Sequence, residues 1–303
     1  MGRLDGRVAI VTGAGRGLGR CHALFMAAEG AAVLVNDLGS RLSGEGSDPT
    51  PAERVVDEIR AAGGRAEVSV HDVSDWEQAR AMVQQAVDVF GDLHVLVNNA
   101  GILRDRALFN MEEAEWDAVI RVHLKGHAAP SRHALAYWRQ RAKAGREVKA
   151  SVVHTSSVAG YAGNFGQANY SAAKLAVVAL SRVVALEGGK HGVRSNVVSP
   201  GGRTRLSAGQ EEEPDRAGGA VYDALDPANV SPLVGWLAEA DCPAQSQVFH
   251  ITGSALVVSS MPPIVHRLTT LGRWTLAALD RQLPHLLVEP TAIQDWFEGV
   301  GRD

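Results

Sequence analysis

Apolar, β-branched stretches alternate along this chain with longer segments of mixed polarity. The apolar stretches predict buried strands over 7–13, 31–37, 66–73, 93–101, 150–157, 193–201 and 246–254. The segments between them predict helices over 17–29, 52–62, 75–90, 112–138 and 169–189. Near-continuous apolar strands separated by helices are typical of a parallel sheet that is covered on both faces. The pattern therefore predicts an α/β fold built on one doubly wound parallel sheet.

Three stretches interrupt this alternation. Residues 39–51 are rich in Gly, Ser and Pro and predict a loop after the second strand. Residues 205–227 are acidic and glycine-rich, which predicts a mobile segment. Four prolines follow residue 260, so short helices are expected there. We therefore predict a single domain over 1–260 with a C-terminal extension over 261–303 packed on it.

The composition narrows the class of protein. Hydrophobic residues make up 46% and charged residues 21%, as in soluble globular proteins, and the net charge of −4 argues against nucleic acid as a partner. No apolar run is long enough to span a membrane, and the N-terminus carries no signal-peptide pattern. Cys21 and Cys242 form neither a disulfide framework nor a metal-ligand spacing. A cytoplasmic protein without a metal site is expected.

The first predicted strand ends in TGAGRGLG (12–19), which then opens a helix. Free backbone N–H groups and the helix dipole at such a junction favour a dinucleotide pyrophosphate, as in Rossmann-like folds. The usual G-x-G-x-x-G spacing is not met, because Leu18 and Arg20 stand where its last glycine would be. The spacing is instead T-G-x-x-x-G-x-G. Predicted cofactor contacts here are Gly13, Arg16, Gly17, Leu18 and Gly19.

The ends of the next strands bear on the choice of cofactor. Asp37 ends the second strand, where a carboxylate can bind the adenosine ribose hydroxyls and repel a 2′-phosphate. Arg16 could instead pair with that phosphate, but it is long and free to turn elsewhere. NAD is therefore favoured over NADP. The remaining strand ends predict contacts to adenine and ribose from Asp72, Val73, Asn99, Ala100 and Gly101, with a helix N-cap as the alternative role of Asp72.

The segment GNFGQANYSAAK (163–174) carries the candidate chemistry. Tyr170 and Lys174 are four residues apart and so share one face of a helix. An ammonium near a phenol lowers the phenol pKa, which would let Tyr170 exchange a proton with an alcohol or a ketone. Ser157, at the end of the fifth strand, could hydrogen-bond the substrate oxygen.

Taken together, these motifs resemble the short-chain dehydrogenase/reductase family over residues 5 to about 255. The resemblance implies an enzyme that interconverts a secondary alcohol and a ketone with a nicotinamide cofactor, and that forms a homodimer or homotetramer. It also implies a role beside the nicotinamide for the stretch SPGGRT (199–204), namely for Pro200, Gly201, Gly202 and Thr204.

Within the family, NNAGILRDR (98–106), RVHLKG (121–126) and GNFGQANYSAAK resemble the (3R)-hydroxyacyl-CoA dehydrogenase part of peroxisomal multifunctional enzymes of type 2. This resemblance implies an acyl thioester or a steroid-like alcohol as substrate. Pro200–Arg203 and the acidic stretch 205–227 depart from the pattern, and both would lie near the substrate.

His123 stands where the family usually has a catalytic asparagine. It is counted as a catalytic candidate under two alternatives: its imidazole joins a proton relay behind Lys174, or only its backbone carbonyl does. Two other functions stay open beside the dehydrogenase. One is a 3-ketoacyl reductase that uses NADPH, and the other is a non-catalytic nucleotide-binding regulator.

Overall fold

A computed structural model describes residues 2–208, 222–259, 268 and 276–287 of the protein. Its strands form one sheet in the order β3-β2-β1-β4-β5-β6-β7-β8. Seven strands run parallel, and β8 pairs antiparallel with β7. The strands are β1 (Val8–Thr12), β2 (Ala32–Asn36), β3 (Arg65–Ser69), β4 (Val95–Asn98), β5 (Ala150–Thr155), β6 (Val193–Gly201), β7 (Val248–Thr252) and β8 (Ala255–Ser259). The order reverses between β1 and β4, so the predicted doubly wound, Rossmann-like α/β fold is confirmed.

The helices cover both faces of this sheet. They are α1 (Gly17–Ala28), α2 (Thr50–Ala61), α3 (Trp76–Phe90), α4 (Glu113–Ile120), α5 (Gly126–Lys143), α6 (Ala159–Ala162), α7 (Ala168–Gly188), α8 (Arg205–Ala208), α9 (Ser231–Ala238) and α10 (Leu276–Gln282). None of the helices in the described part of the chain combines the length and the apolarity that a bilayer crossing needs.

Alternate residues of the central strands enter two separate cores. Ala9 and Val11 of β1 lie in the core beneath α1, α2 and α9, whereas Val8 and Ile10 lie in the core beneath α3 and α5. All four side chains are at most 4% exposed. At about 25 cal/mol per Å² of apolar surface, such burial on both faces is the main stabilisation of the sheet. It also holds the carboxyl ends of β1, β4, β5 and β6 along one edge, where the polar motifs lie.

Several element predictions were wrong in detail. The helix predicted over 112–138 is divided into α4 and α5 by a π-helical turn over Arg121–Lys125. The strand predicted over 246–254 ends at Thr252, because Gly253 (φ +56°) turns the chain back into β8. Helix α9 was not predicted; its apolar residues are buried against the core beneath α1.

The predicted extension and the predicted mobile segment lie largely outside the described residues. Within the extension 261–303, the structure describes residue 268 and residues 276–287, which include α10. Within 205–227, residues 209–221 lie outside the described part, while Arg205–Ala208 is helical. The boundary at residue 260 therefore stays a prediction.

Candidate active site

The turn between β1 and α1 is closely packed at its glycines. Gly13 and Gly17 have φ values of +64° and +52°, which favour glycine over any residue with a side chain. A methyl group at Gly19 would lie 2.1 Å from the carbonyl oxygen of Gly13. The first turn of α1 thus lies directly against the loop, with its free N–H groups facing the sheet edge.

Asn99 and Thr12 join this loop to the end of β4. The Asn99 amide donates hydrogen bonds to the carbonyl oxygens of Thr12 and Gly13 at 3.0 and 3.2 Å. The Thr12 hydroxyl accepts from the backbone N–H of Asn99 and of Ala100 at 2.9 and 3.2 Å. The side chain of Asn99 therefore shapes the glycine loop, and Thr12 is a contributor that the sequence reasoning had not singled out.

A cleft of about 960 Å³, including the part open to solvent, runs along this sheet edge. Eleven of the predicted cofactor residues line it: Gly13, Arg16, Gly17, Leu18, Asp37, Asp72, Val73, Asn99, Ala100, Gly101 and Thr204. Residues that line it without having been predicted include Ser40, His71, Ile102 and Arg121. Gly19, Pro200, Gly201 and Gly202 are not part of its lining, and neither are Ser157, Tyr170, Lys174 and His123.

Asp37 is held in a fixed orientation at the end of β2. Its Oδ2 accepts a hydrogen bond from the Gly15 N–H at 2.8 Å, and its Oδ1 accepts from the Gly39 N–H at 2.6 Å. Each carboxylate oxygen keeps a further lone pair for a hydroxyl donor. Nearby, Nη1 of Arg16 is buried and has no partner among the described residues. A carboxylate and an unpaired guanidinium nitrogen at one cleft fit a dinucleotide, because its ribose supplies donors and its phosphates supply acceptors.

Asp72 does not cap a helix. Its Oδ1 accepts hydrogen bonds from the backbone N–H and the hydroxyl of Ser74 at 2.8 and 2.7 Å. The N-cap of α3 is Asp75, which accepts from the backbone N–H of Gln78 at 2.8 Å. The alternative role considered for Asp72 is therefore wrong, and its side chain forms a turn at the edge of the cleft.

The stretch after β6 is compact around its glycines. A methyl group at Gly201 would lie 2.0 Å from the Thr252 hydroxyl, and one at Gly202 would lie 3.3 Å from the Cα of Pro227. Pro200 is paired with Ile251 of β7. Gly201 thus lets the chain pass close to β7, and Gly202 lets it pass close to Pro227.

Ser157, Tyr170 and Lys174 come together where β5 ends and α7 begins. The Lys174 ammonium donates to the carbonyl oxygen of Thr155 at 2.7 Å and lies 5.5 Å from the centre of the Tyr170 ring. The Tyr170 hydroxyl is hydrogen-bonded to the side chain of Ser157. Lys174 is only 2% exposed, whereas Ser157 and Tyr170 keep partial exposure through which a substrate could reach them.

His123 lies in the π-helical turn, beneath Tyr170. Its Nε2 is 2.8 Å from the carbonyl oxygen and 3.1 Å from the amide nitrogen of Ile102. Its ring meets the ring of Tyr170 edge-on with the centres 5.0 Å apart. A methyl group at Gly101 would lie 2.5 Å from Cε1 of this imidazole. The ring therefore joins the loop after β4 to the tyrosine, at a kind of turn that is frequent in functional sites.

Comparison with known proteins agrees with this geometry. The sequence profile of the family described as short chain dehydrogenase matches residues 7–215, which is more than half of the chain. The protein belongs to the short chain dehydrogenase family. It is accordingly an oxidoreductase, and the predicted membership is confirmed.

Relatives narrow the likeness within the family. This dehydrogenase is 44% identical over 277 residues to hydroxyacyl-CoA dehydrogenase ChsB1 of Mycobacterium tuberculosis, covering 89% of this chain and 84% of that one. It is 41% identical over 249 residues to the peroxisomal multifunctional enzyme type 2 of Mus musculus, covering 82% of this chain but 32% of that longer protein. A crystal structure of a short chain dehydrogenase from Mycobacterium avium has 46% identity and a TM-score of 0.86, covering 96% and 99% of the two chains.

In the protein without a cofactor, burial is the main cause of the pKa shifts of Tyr170 and Lys174. It raises the pKa of Tyr170 to about 12; the hydrogen bond from Ser157 opposes this effect, and the charge of Asp105 adds to it. Burial also lowers the pKa of Lys174 to about 7. The pKa of Tyr170 is thus raised in the free protein, and a lowering by the Lys174 ammonium stays a prediction. Lys174 is withdrawn from water, and its ammonium donates to the carbonyl oxygen of Thr155.

His123 does not gain a charge in this environment. Burial, followed by the charge of Lys174, holds the pKa of its imidazole well below the usual value, although the hydrogen bond with Ile102 opposes this shift. Proton transfer through a charged His123 is thus disfavoured, which leaves its ring with a packing and hydrogen-bonding role at the site.

Proposed function

We propose that the protein is an NAD-dependent dehydrogenase that oxidises the secondary alcohol of a 3-hydroxyacyl-CoA, or of a steroid-like molecule, to a ketone. The observation that carries this proposal is the meeting of Ser157, Tyr170 and Lys174 at the sheet edge that also holds the glycine loop and Asp37. The similarity to hydroxyacyl-CoA dehydrogenase ChsB1 supports the acyl thioester as the substrate class.

In this proposal each residue has a separate task. Ser157 holds the substrate oxygen by a hydrogen bond, and Tyr170 takes the proton of the alcohol. Lys174 stabilises the tyrosinate by its charge, since its ammonium lies 5.5 Å from the ring. A bound nicotinamide cofactor would supply the acceptor for the hydride. The backbone of the glycine loop and Asp37 would hold its pyrophosphate and ribose.

Replacing Tyr170 with phenylalanine tests this mechanism. The ring and its packing against His123 remain, but the hydroxyl that exchanges the proton is lost. We expect Tyr170→Phe to bind NADH with nearly unchanged affinity and to lose turnover by at least about 10²- to 10⁴-fold. NADH formation would be followed over a panel of 3-hydroxyacyl-CoAs and hydroxysteroids.

The matched control is Tyr137→Phe, which removes a hydroxyl that donates to Asp92 at 2.7 Å, outside the site. This variant should keep its turnover. Turnover retained in Tyr170→Phe would overturn the mechanism. Reaction of simple alcohols alone would overturn the substrate class and leave the oxidoreductase assignment intact.

A preference for NAD rests on Asp37. Because Gly15 and Gly39 hold its carboxylate in place, a 2′-phosphate at the ribose would meet a fixed negative charge. The unpaired Nη1 of Arg16 favours the alternative, a 3-ketoacyl reductase that uses NADPH. The ratio of kcat/KM for NAD and NADP decides between them. We expect Asp37→Ser to move that ratio toward NADP by about tenfold or more, whereas Arg16→Ala should move it further toward NAD.

A homodimer or homotetramer is part of the proposal. Leu175, Val183 and Leu186 lie on the outer face of α7 and are 41%, 46% and 64% exposed. An apolar face of this kind on a long helix supports self-association. Light scattering after gel filtration tests it, and a monomer at micromolar concentration would contradict it. The third function, a non-catalytic regulator, is less well supported because Ser157, Tyr170 and Lys174 are all present.

A further inference from the structure

Asn169 joins the start of α7 to the segment after β4 and to α4. Its side chain is fully buried (0% exposed), although an amide has donors and an acceptor to satisfy. It directly precedes Tyr170 in the chain, and neither the proposed catalytic steps nor the proposed cofactor contacts use it. A buried amide is costly unless it is hydrogen-bonded, so the partners of Asn169 indicate what it does.

The partners of the Asn169 side chain come from three segments. Its Nδ2 donates to the carbonyl oxygens of Arg104, after β4, and of Glu115, in α4, both at 3.1 Å. Its Oδ1 accepts from the backbone N–H of Tyr170 at 2.7 Å. These partners also determine the orientation of the amide, because the opposite one would place its oxygen against two carbonyl oxygens. One side chain therefore links the loop after β4, α4 and the first turn of α7.

The first turn of α7 needs this support. The first four N–H groups of a helix have no acceptor within the helix, and the N–H of Tyr170 is one of them. Gln167, the N-cap of α7, makes no capping hydrogen bond with its side chain. A backbone hydrogen bond begins one residue later, from the N–H of Ser171 to the carbonyl oxygen of Gln167 at 2.7 Å. Tyr170 therefore lies in the part of the helix that frays most easily, and Asn169 supplies the acceptor for its N–H.

Two further contacts run along the same boundary. Nε2 of Gln167 donates to Oδ2 of Asp105 at 2.7 Å, and the N–H of Arg106 donates to the carbonyl oxygen of Gly166 at 2.8 Å. The bond between Gln167 and Asp105 is exposed, so water competes for it. The side chain of Asn169 is shielded from water, and its hydrogen bonds are electrostatically stronger for that reason.

Lys174, one turn further along α7, is held by other residues. The Ser156 hydroxyl donates to the carbonyl oxygen of Lys174 at 2.7 Å, and the Lys174 ammonium donates to the carbonyl oxygen of Thr155 at 2.7 Å. Both partners lie at the end of β5. The position of Lys174 thus depends on β5, whereas the backbone of Tyr170 is tied to the loop after β4 through Asn169.

We propose that Asn169 is a positioning residue for the proton transfer, because it fixes the backbone of Tyr170 and so holds the phenol within reach of Ser157 and of the substrate oxygen. The part concerning the reaction rests on the proposed function; the anchoring of Tyr170 does not. The Tyr170 hydroxyl is hydrogen-bonded to Ser157, and its ring meets the His123 ring edge-on. A displacement of about 1 Å at a reacting group can cost about 10²-fold in rate, so the anchoring should be visible in turnover.

Replacing Asn169 with alanine tests the effect on the reaction. We expect Asn169→Ala to lower kcat by about 10- to 100-fold, because proton transfer depends on the position of the phenol. The KM for the best alcohol substrate of the panel and the Kd of NADH, measured by fluorescence, should change by less than about threefold, because the variant removes no contact to either. A kcat within about threefold of the wild type would overturn the proposal.

Asn196 offers a matched control for the loss of stability. It is also 0% exposed, donates to the carbonyl oxygen of Ala244 at 2.9 Å and accepts from the N–H of Gln247 at 3.0 Å, between β6 and the start of β7. Asn196→Ala should lose thermal stability as Asn169→Ala does and yet keep its kcat. An equal loss of kcat in the two variants would assign Asn169 a merely structural role.

Asn169→Asp gives a second test with a side chain of the same shape. Its carboxylate still accepts from the N–H of Tyr170 but places a negative charge against two carbonyl oxygens. Burial raises the pKa of such a carboxyl, and protonation restores one donor. The kcat of Asn169→Asp relative to the wild type should therefore rise several-fold from about pH 8 to about pH 5, while the same ratio for Asn196→Asp stays constant. A ratio for Asn169→Asp that does not change with pH would overturn the role given to the donated hydrogen bonds.

The ring of Tyr170 reports the anchoring without any reaction. In cofactor-free protein labelled with ¹³C in its four tyrosine rings, Tyr170→Phe assigns the signal. In Asn169→Ala this signal should lose the shift that the edge-on His123 ring causes, while the signal of Tyr137 stays. Asn196→Ala should leave both in place. An unmoved Tyr170 signal in Asn169→Ala would overturn the proposal. Absence of turnover in the wild type would instead overturn the proposed function, and the NMR result would still decide the anchoring.

Discussion

The buried charge of Lys174 should lower the free energy of unfolding, although the proposed activity depends on that charge. Replacing Lys174 with methionine measures the size of this destabilisation. Methionine has a similar length and fills the same space without a charge. The pKa of Lys174 is lowered by burial from 10.5 to about 7. At 1.36 kcal/mol per pH unit, that difference corresponds to roughly 5 kcal/mol of destabilisation at and below pH 7.

Removing the lysine charge should recover this stability, but only in part. The carbonyl oxygen of Thr155 also loses the donor that lies 2.7 Å from it. An unsatisfied buried acceptor costs about 1–3 kcal/mol. We therefore expect Lys174→Met to be more stable than the wild type by about 2–4 kcal/mol at pH 6.5, and to have no detectable dehydrogenase activity.

The pH dependence of the stability difference between Lys174→Met and the wild type shows whether the buried lysine charge is its cause. Between pH 7 and 10.5 the unfolded wild-type chain still binds the lysine proton while the folded chain has released it, so wild-type stability rises with pH in this window. The advantage of Lys174→Met should therefore fall to about zero by pH 9.5. Urea unfolding of the cofactor-free proteins, followed by circular dichroism at both pH values, gives the two differences. Lys190→Met, at an exposed position, is the control and should show neither effect. A variant less stable than the wild type at pH 6.5, or an advantage independent of pH, would refute the reasoning.

Three further outcomes are expected. Gly101→Ala would place a methyl group 2.5 Å from the His123 ring. Thermal unfolding should therefore show that the free energy of unfolding falls by about 1–3 kcal/mol, and adding His123→Ala should largely restore it. His123→Ala alone should keep kcat within about tenfold, because its Nε2 is engaged with Ile102; a larger loss that leaves folding intact would assign the imidazole a part in the relay. Asp105→Asn removes a charge that raises the pKa of Tyr170, so the pH midpoint for alcohol oxidation should fall by about half a unit or less, and an unmoved midpoint would contradict this.

Much of the fold could be predicted from the sequence because it depends on local patterns. Residues 8–11 and 32–35 are all apolar, a pattern that is typical of strands buried on both faces. The element β8 was missed because the apolar stretch before it already matched a strand. Only the turn at Gly253 shows where the chain reverses. Similarly, the π-helical turn at His123 lies within a continuous helical pattern, and periodicity cannot place it.

Motif spacing also identified the residues of the candidate site, because strand ends and a four-residue helical spacing carry that information. It could not determine their partners or their charges. The hydrogen bond from the Lys174 ammonium to the carbonyl oxygen of Thr155 and the one from the Asn99 amide to that of Thr12 both join residues that are 19 or more apart in the chain.

The sequence by itself thus determined the alternating architecture, the glycine loop and the serine, tyrosine and lysine set. Only the tertiary structure decided that burial raises the pKa of Tyr170, and that the imidazole of His123 packs against the tyrosine ring. The physical reason is that hydrophobic periodicity reports one segment at a time. The pKa and the hydrogen bonds of a group depend instead on its exposure to water and on the partners that all the surrounding segments place beside it.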